Sequence, residues 1–219
     1  MSVNISENIK EFTSKIPKEV QLVAVSKTKP NEDLLEAYHA GQRIFGENKI
    51  QEMTDKWETL PKDIEWHMIG HVQTNKVKYM APYVSLVHAV DKMKLLKEIN
   101  KRAKQNDRTI RCLLQLKIAE EDSKFGMSKD DLLALLANEN LSNYNNVKIV
   151  GLMGMATFTE DEEQIEREFL FLKQTYDELQ AKYAQLEILS MGMSGDYKLG
   201  IKHGSNMIRI GSAIFGKRH

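Results

Sequence analysis

Eight short apolar runs, separated by longer amphipathic segments, constrain the fold of this chain more than any other feature. The runs cover residues 22–26, 43–46, 66–70, 85–90, 110–118, 147–153, 186–191 and 207–210. Runs of this length are typical of strands, and several are almost continuously apolar, as expected when both faces of a parallel strand are covered. The pattern therefore predicts an α/β fold built on a parallel sheet.

The segments between these runs have the pattern of amphipathic helices. They include residues 31–40, 91–104, 129–138 and 161–182, and a further helix is predicted over 5–15, before the first strand. In the longest segment, Ile165, Phe169 and Leu172 recur at steps of three and four residues and form an apolar stripe. Strands and helices thus alternate along the whole chain.

The count of eight strands predicts a (β/α)8 barrel with one extra N-terminal helix. The 219 residues lie near the lower end of the size range of such barrels, which begins at about 200. A doubly wound open sheet would show the same alternation, and periodicity alone does not separate the two folds. Because no composition break or low-complexity tract interrupts the chain, we expect one domain over residues 1–219.

Charge and cysteine content narrow the classes of function. Thirty-one basic residues balance thirty-one acidic ones, so the net charge does not indicate binding to nucleic acid or to an anionic membrane. Cys112 is the only cysteine, which excludes an intrachain disulfide and favours a reducing compartment. No stretch resembles a signal peptide or a transmembrane helix. We therefore expect a cytoplasmic protein without nucleic-acid or membrane partners.

The residue that follows the first apolar run is a candidate for covalent chemistry. In either architecture, ligands bind at the C-terminal ends of the strands. Lys27 directly continues the run, and a lysine in an apolar mouth has a depressed pKa and can act as a Schiff-base nucleophile. The alternative is a solvated loop lysine, because buried lysines are rare. Lys29 fits the description of a solvated loop lysine better than Lys27 does, since Pro30 follows it and a helix starts there.

Two segments rich in glycine and serine follow the last two strands. They are residues 190–195 and residues 211–213. Backbone N–H groups at such turns and helix starts bind anions, and barrels commonly bind phosphate after strands seven and eight. Taken alone, each segment could equally be a turn and a helix cap. Their combination predicts a phosphate site.

Arg209 lies inside the last apolar run, where an unpaired buried charge would be very costly. It must therefore point outward to a helix carboxylate or inward to whatever occupies the barrel mouth. Asn48 and His67 are placed near the ends of the second and third runs and could line the same mouth. A hydrogen-bonded structural role is the alternative for His67.

The remaining residues give weaker signals. Met153, Met191 and Met193 stand at strand ends, where they would line a pocket or fill the core. The chain has no His, Cys, Asp or Glu spacing typical of a zinc site. It also lacks the GxSxG and phosphate-loop motifs. We therefore expect no metal.

Seven segments, in order from residue 23 to residue 216, resemble the YggS/PROSC family of pyridoxal phosphate homeostasis proteins. They are VAVSKTKP (23–30), FGEN (45–48), WHMIGHVQTNK (66–76), SKFGM (123–127), GLM (151–153), LSMGMS (189–194) and RIGSAIFG (209–216). Two positions depart from the family pattern. Lys49 stands where a tyrosine is usual, and Ser212 where a threonine is often found. Neither change removes a needed hydrogen-bond donor.

The resemblance implies a barrel like the N-terminal domain of alanine racemase, a fold type III protein that carries pyridoxal 5′-phosphate (PLP), the cofactor form of vitamin B6. It implies that Lys27 forms the Schiff base, that Arg209 faces the pyridine nitrogen, and that the two glycine and serine segments hold the phosphate. The expected cofactor-binding set is Lys27, Asn48, His67, Met153, Ser190, Met191, Gly192, Met193, Ser194, Arg209, Gly211 and Ser212.

The function implied is a non-enzymatic PLP carrier that buffers the cofactor or delivers it to apo-enzymes, and that we expect to be a monomer. The alternative is an amino-acid racemase, and a third option is an interaction protein with a vestigial site. An arginine donor disfavours protonation of the ring nitrogen and so weakens PLP as an electron sink. The chain ends a few residues after the last strand, so we expect no second domain of the racemase kind.

Overall fold

A computed structural model describes residues 4–121 and 125–216, and in them eight parallel strands close into a barrel in sequence order, β8 pairing with β1. The strands are β1 (Gln21–Val25), β2 (Ile44–Glu47), β3 (Glu65–Met68), β4 (Leu86–Val90), β5 (Ile110–Gln115), β6 (Val147–Met153), β7 (Ile188–Met193) and β8 (Met207–Ile210). The closed barrel confirms the predicted fold class and excludes the open sheet.

Helices surround the barrel and connect its strands. They are α1 (Ile5–Lys15), α2 (Asn31–His39), α3 (Ile50–Thr59), α4 (Val77–Met80), α5 (Met93–Gln105), α6 (Lys129–Leu136), α7 (Glu162–Gln180), α8 (Tyr197–Lys202) and α9 (Ser212–Phe215), with 3-10 turns at Thr74–Lys76 and Glu139–Asn143. The extra N-terminal helix is α1, and the Asn4 side chain caps it by accepting from the Glu7 N–H. No helix of the described ranges is both long and apolar enough to cross a membrane.

Strand alternation divides the core into two layers. Most buried apolar side chains, Trp66 and Phe169 among them, pack between the barrel and its helices. A smaller cluster fills the barrel interior and comprises Val23, Leu86, Ala89, Leu113, Val150, Met153, Ile188 and Met207. A fully buried valine, leucine, isoleucine or methionine of this kind contributes about 1.5–3 kcal/mol to folding. Polar groups inside the barrel are therefore exceptions that need partners.

The predicted and observed strands differ mainly at their ends. The apolar pattern predicts the seventh strand over 186–191, whereas β7 covers Ile188–Met193. Leu186 is buried, but it precedes the strand, and its N–H donates to the Tyr183 carbonyl in a turn. Apolar character reports burial, whereas strand limits depend on register with the neighbouring strand, so the two boundaries need not coincide.

Candidate functional site

A cavity of about 2000 Å³ lies at the C-terminal ends of the strands. Seven of the expected cofactor-binding residues line it: Lys27, Asn48, Met193, Ser194, Arg209, Gly211 and Ser212. Small-molecule sites usually measure about 300–1,000 Å³, so this cavity has room for a cofactor-sized ligand and an approach to it. The barrel mouth is therefore the candidate binding site.

Arg209 points into the barrel, which settles the orientation that the sequence left open. On β8, Met207 belongs to the interior cluster and Ile208 to the outer one, so alternation turns Arg209 inward. Its guanidinium donates to Ser190 Oγ at 2.6 Å and to the Gly154 carbonyl at 3.0 Å. Burial lowers its pKa to about 10, a shift that Asp196 opposes. Arg209 thus stays cationic at neutral pH.

Beneath Arg209, two buried histidines continue the hydrogen-bond chain. His88 Nδ1 lies 3.4 Å from Ser190 Oγ, and His88 Nε2 lies 3.1 Å from His67 Nδ1. Burial lowers the pKa of His67 to about 3 and that of His88 well below its ordinary value, so both rings are neutral. His67 is therefore a hydrogen-bonded histidine below the mouth and is not among the residues that line the cavity.

The direction of this chain is fixed at its upper end. A guanidinium can only donate, so the Ser190 hydroxyl accepts from Arg209. The hydroxyl keeps a second lone pair and its own proton, so the tautomer of His88 decides which group donates between Ser190 Oγ and His88 Nδ1. The same tautomer decides which ring donates between His88 Nε2 and His67 Nδ1.

The two predicted phosphate loops meet at the mouth. The Gly211 N–H donates to Ser194 Oγ at 3.2 Å, which joins the loop after β7 to the loop after β8. Gly192 has a φ of +98°, and a Cβ there would lie 2.9 Å from the Tyr197 Cα, so the first loop requires glycine. Ser212 opens α9, whose first N–H groups have no intrahelical acceptor. This donor set is suited to an anion.

The two lysines that follow β1 have different surroundings. Lys27 lies in a tight turn, closed by a bond of 3.1 Å from the Lys29 N–H to the Ser26 carbonyl, and it lines the cavity. Lys29 Nζ instead donates to the Phe215 carbonyl at 2.6 Å and caps the end of α9. Lys27, and not Lys29, is therefore the lysine of this turn that lines the cavity.

The other expected residues lie outside the cavity lining. Met153 fills the barrel interior, and Met191 packs in the outer core. Ser190 and Gly192 lie below the mouth, where Ser190 is fully buried and reaches the cavity only through Arg209. Ser123 and Lys124, from the SKFGM segment, fall outside the described residues.

The sequence reasoning missed two buried polar residues near the site. His88 is a lone polar residue in the apolar run LVHAV of β4, which is a usable signal. Lys56 is buried on α3 with Ile50 and Met53, at steps of three residues, so it occupies the apolar face of that helix. A lysine in such a stripe indicates an internal ion pair.

Comparison with known proteins places the chain in a family. The family described as "Alanine racemase, N-terminal domain" matches residues 2–219. A protein of Aquifex aeolicus named "Pyridoxal phosphate homeostasis protein" is 40% identical over 200 residues, covering 90% of this chain and 87% of that protein. A protein of the same name from Vibrio alginolyticus is 38% identical and covers 98% of both. The chain belongs to the pyridoxal phosphate homeostasis protein family.

A solved structure of a related protein supports the fold. PipY of Synechococcus elongatus, described as having PLP bound, is 35% identical to this chain, with a TM-score of 0.87. The match covers 97% of this chain and 100% of PipY. The resemblance predicted from the seven sequence segments is confirmed.

Proposed function

We propose that this chain binds PLP at the barrel mouth, attached to Lys27 as a Schiff base, and serves PLP homeostasis by buffering or delivering the cofactor rather than by catalysis. The observation that carries the proposal is the convergence on one cavity of Lys27, Arg209 and the joined loops at Ser194 and Gly211. The names of the curated relatives and the PLP-bound PipY structure support it.

The residues at the mouth fit three of the polar groups of PLP, namely its phosphate, its ring nitrogen and its aldehyde. The loop N–H groups and the hydroxyls of Ser194 and Ser212 would hold the phosphate. The Arg209 guanidinium would donate to the ring nitrogen, and the Lys27 amine would attack the aldehyde, with loss of one water as the C=N bond forms. When bound, PLP supplies that aldehyde and a ring able to accept electrons.

Arg209 favours a carrier over a racemase. The guanidinium can only donate hydrogen bonds, and it remains charged at neutral pH. It would therefore hold the ring nitrogen of PLP as a hydrogen-bond acceptor and oppose its protonation. An unprotonated ring withdraws electrons weakly and stabilises a carbanion poorly. Ser190 and the Gly154 carbonyl fix the guanidinium in this orientation. The site is thus better suited to holding the cofactor than to using it.

The wider setting is also part of the proposal. We propose a cytoplasmic monomer that passes PLP to apo-enzymes. The lone cysteine, Cys112, is buried and burial raises the pKa of its thiol, so it would remain a thiol in a reducing compartment. Light scattering on the purified protein would establish the oligomeric state.

Transfer of PLP to an apo-enzyme tests this function directly. The PLP-loaded protein is mixed with an apo-enzyme that requires PLP, and recovery of that enzyme's activity is followed beside deuterium exchange at the α-carbon of alanine and serine. We expect transfer, with exchange no faster than that given by free PLP. Exchange at about 1 per second or more, as in true enzymes, would instead establish the racemase alternative.

A further inference from the structure

A buried cluster of charges lies beneath the turn that carries Lys27. Lys56 Nζ donates to the Ser26 carbonyl, to Glu47 Oε1 and to Glu52 Oε1, each at 2.8 Å. The Lys56 side chain is 7% exposed and that of Glu47 is 0% exposed. All three ammonium protons of Lys56 are therefore used. We call Lys56, Glu47 and Glu52 the Lys56 cluster.

The Lys56 cluster forms hydrogen bonds with the turn on both sides of Lys27. On one side, Ser26 Oγ donates to Glu47 Oε1 at 2.6 Å, and the Ser26 carbonyl accepts from Lys56. On the other side, the Thr28 N–H donates to Glu52 Oε1 at 2.5 Å. The residues before and after Lys27 are thus fixed to α3 and β2, and Lys27 itself lines the cavity.

The turn needs external support because its backbone is strained. Thr28 has a φ of +64°, and within the described ranges the other non-glycine residue with positive φ is Asp107. The left-handed conformation is unfavourable for an ordinary L-residue, and Thr28 is β-branched. Such a conformation persists only where contacts with the surroundings hold it in place. The hydrogen bonds to Glu47, Glu52 and Lys56 are those contacts.

Fold stability alone is a poor reason for this cluster. Burial raises the pKa of Glu47, and Lys56 and Ser26 only oppose that rise. The second oxygen of Glu47, Oε2, has no hydrogen-bond partner in the described residues. Buried ion pairs often contribute no more stability than well-packed apolar residues of the same volume. A role in shaping the neighbouring turn accounts better for charges in this position.

We propose that Lys56 is a positioning residue for Lys27: with Glu47 and Glu52, it holds residues 26–29 in the conformation that presents the Lys27 amine to the cavity. This inference rests on the proposed attachment of PLP to Lys27. An amine held in its reactive position loses less conformational freedom on attachment, so attachment is both faster and tighter. Loss of the cluster should slow attachment without removing the lysine.

The test compares variants of the full chain for their rate and affinity of PLP attachment, followed by absorbance and by borohydride trapping at Lys27. Glu52→Ala removes the acceptor of the Thr28 N–H and leaves the buried Lys56–Glu47 pair in place, so we expect the fold to be retained. We expect attachment about tenfold slower and binding about tenfold weaker, and a larger loss in Lys56→Met. Asp177→Ala, which removes the partner of Lys173 in an exposed pair on α7, is the matched control and should bind like the wild type.

A second substitution separates positioning from general stability. In Glu52→Ala/Thr28→Gly, the glycine adopts a positive φ without strain, so the turn no longer needs Glu52. We expect the double variant to recover most of the lost rate, although nothing on α3 has been restored. Wild-type attachment rates in Glu52→Ala and Lys56→Met, or a loss that Thr28→Gly does not relieve, would overturn the proposal. If the wild type itself fails to trap PLP at Lys27, it is the proposed function that fails.

Discussion

At the residue scale, Arg209 organises the interior of the barrel mouth. Its charge is fixed, and Ser190, His88 and His67 form a single hydrogen-bonded line beneath it. Both imidazoles are neutral because burial lowers their pKa values. A proton on either ring would add a second positive charge close to the Arg209 guanidinium, within the same line of hydrogen bonds. The hydrogen-bond chain is therefore stable only while the histidines are unprotonated.

This arrangement predicts acid sensitivity. The pKa of His67 is about 3 in the folded protein and about 6.5 in the unfolded chain, so the unfolded state binds more protons between those values. Stability should therefore rise with pH through this window and fall on acidification below about 6.5. Each buried neutral ring adds up to about 1.4 kcal/mol per pH unit to the change in the free energy of unfolding with pH.

Thermal unfolding of His67→Gln from pH 7 to pH 4 checks this prediction. We expect the variant to lose less stability on acidification than the wild type does. His39→Gln, at an exposed position on α2, is the control and should keep the wild-type dependence. Equal slopes in all three proteins would show that His67 is not buried in its neutral form.

At the element scale, the sequence pattern is most informative where burial and secondary structure coincide. The limits of α1, β6 and β8 match their predicted ranges to the residue. Of the two segments predicted to hold phosphate, residues 211–213 follow β8 as expected, whereas residues 190–193 of the first lie within β7 and only 194–195 follow it. A hydrogen bond from the Gly211 N–H to Ser194 Oγ joins the two segments. This bond depends on barrel closure, so a linear sequence does not show it.

The C-terminal end of β7 gives a prediction at this scale. Gly192→Ala places a Cβ at a φ of +98° and 2.9 Å from the Tyr197 Cα, which costs about 1–3 kcal/mol and displaces Ser194. PLP binding should weaken about tenfold or more. Pyridoxal lacks the phosphate, so we expect it to bind weakly to the wild type and its affinity to change little in the variant. Equilibrium titration of the variant with each ligand measures both effects.

Gly41→Ala is the matched control for this comparison. Gly41 also has a positive φ, of +104°, but it follows α2, and a Cβ at this position would have open space within 4 Å. The substitution should lower stability and leave PLP affinity unchanged. Equal losses for PLP and pyridoxal in Gly192→Ala would exclude a phosphate role for this loop.

At the scale of the whole molecule, barrel closure explains what could and could not be predicted. Eight strand segments sufficed to favour a barrel, and the residues at strand ends sufficed to select Lys27 and the two glycine and serine segments, which the structure brings to one cavity. The inward direction of Arg209 required the register of β8 against β1 and β7. The contacts of Lys56 required α3 to pack beneath a turn about 30 residues away in the chain. Such long-range contacts leave no periodic trace in the sequence.

The central claim is that the barrel mouth holds PLP covalently on Lys27. Borohydride reduction of the PLP-loaded protein, followed by peptide mapping, tests it most directly. Lys27→Ala should abolish both the Schiff-base absorbance and the fixed adduct. Lys29→Ala, the control two residues away, should keep both, because Lys29 Nζ is directed to the Phe215 carbonyl. An adduct mapped to Lys29, or one that persists undiminished in Lys27→Ala, would contradict the account.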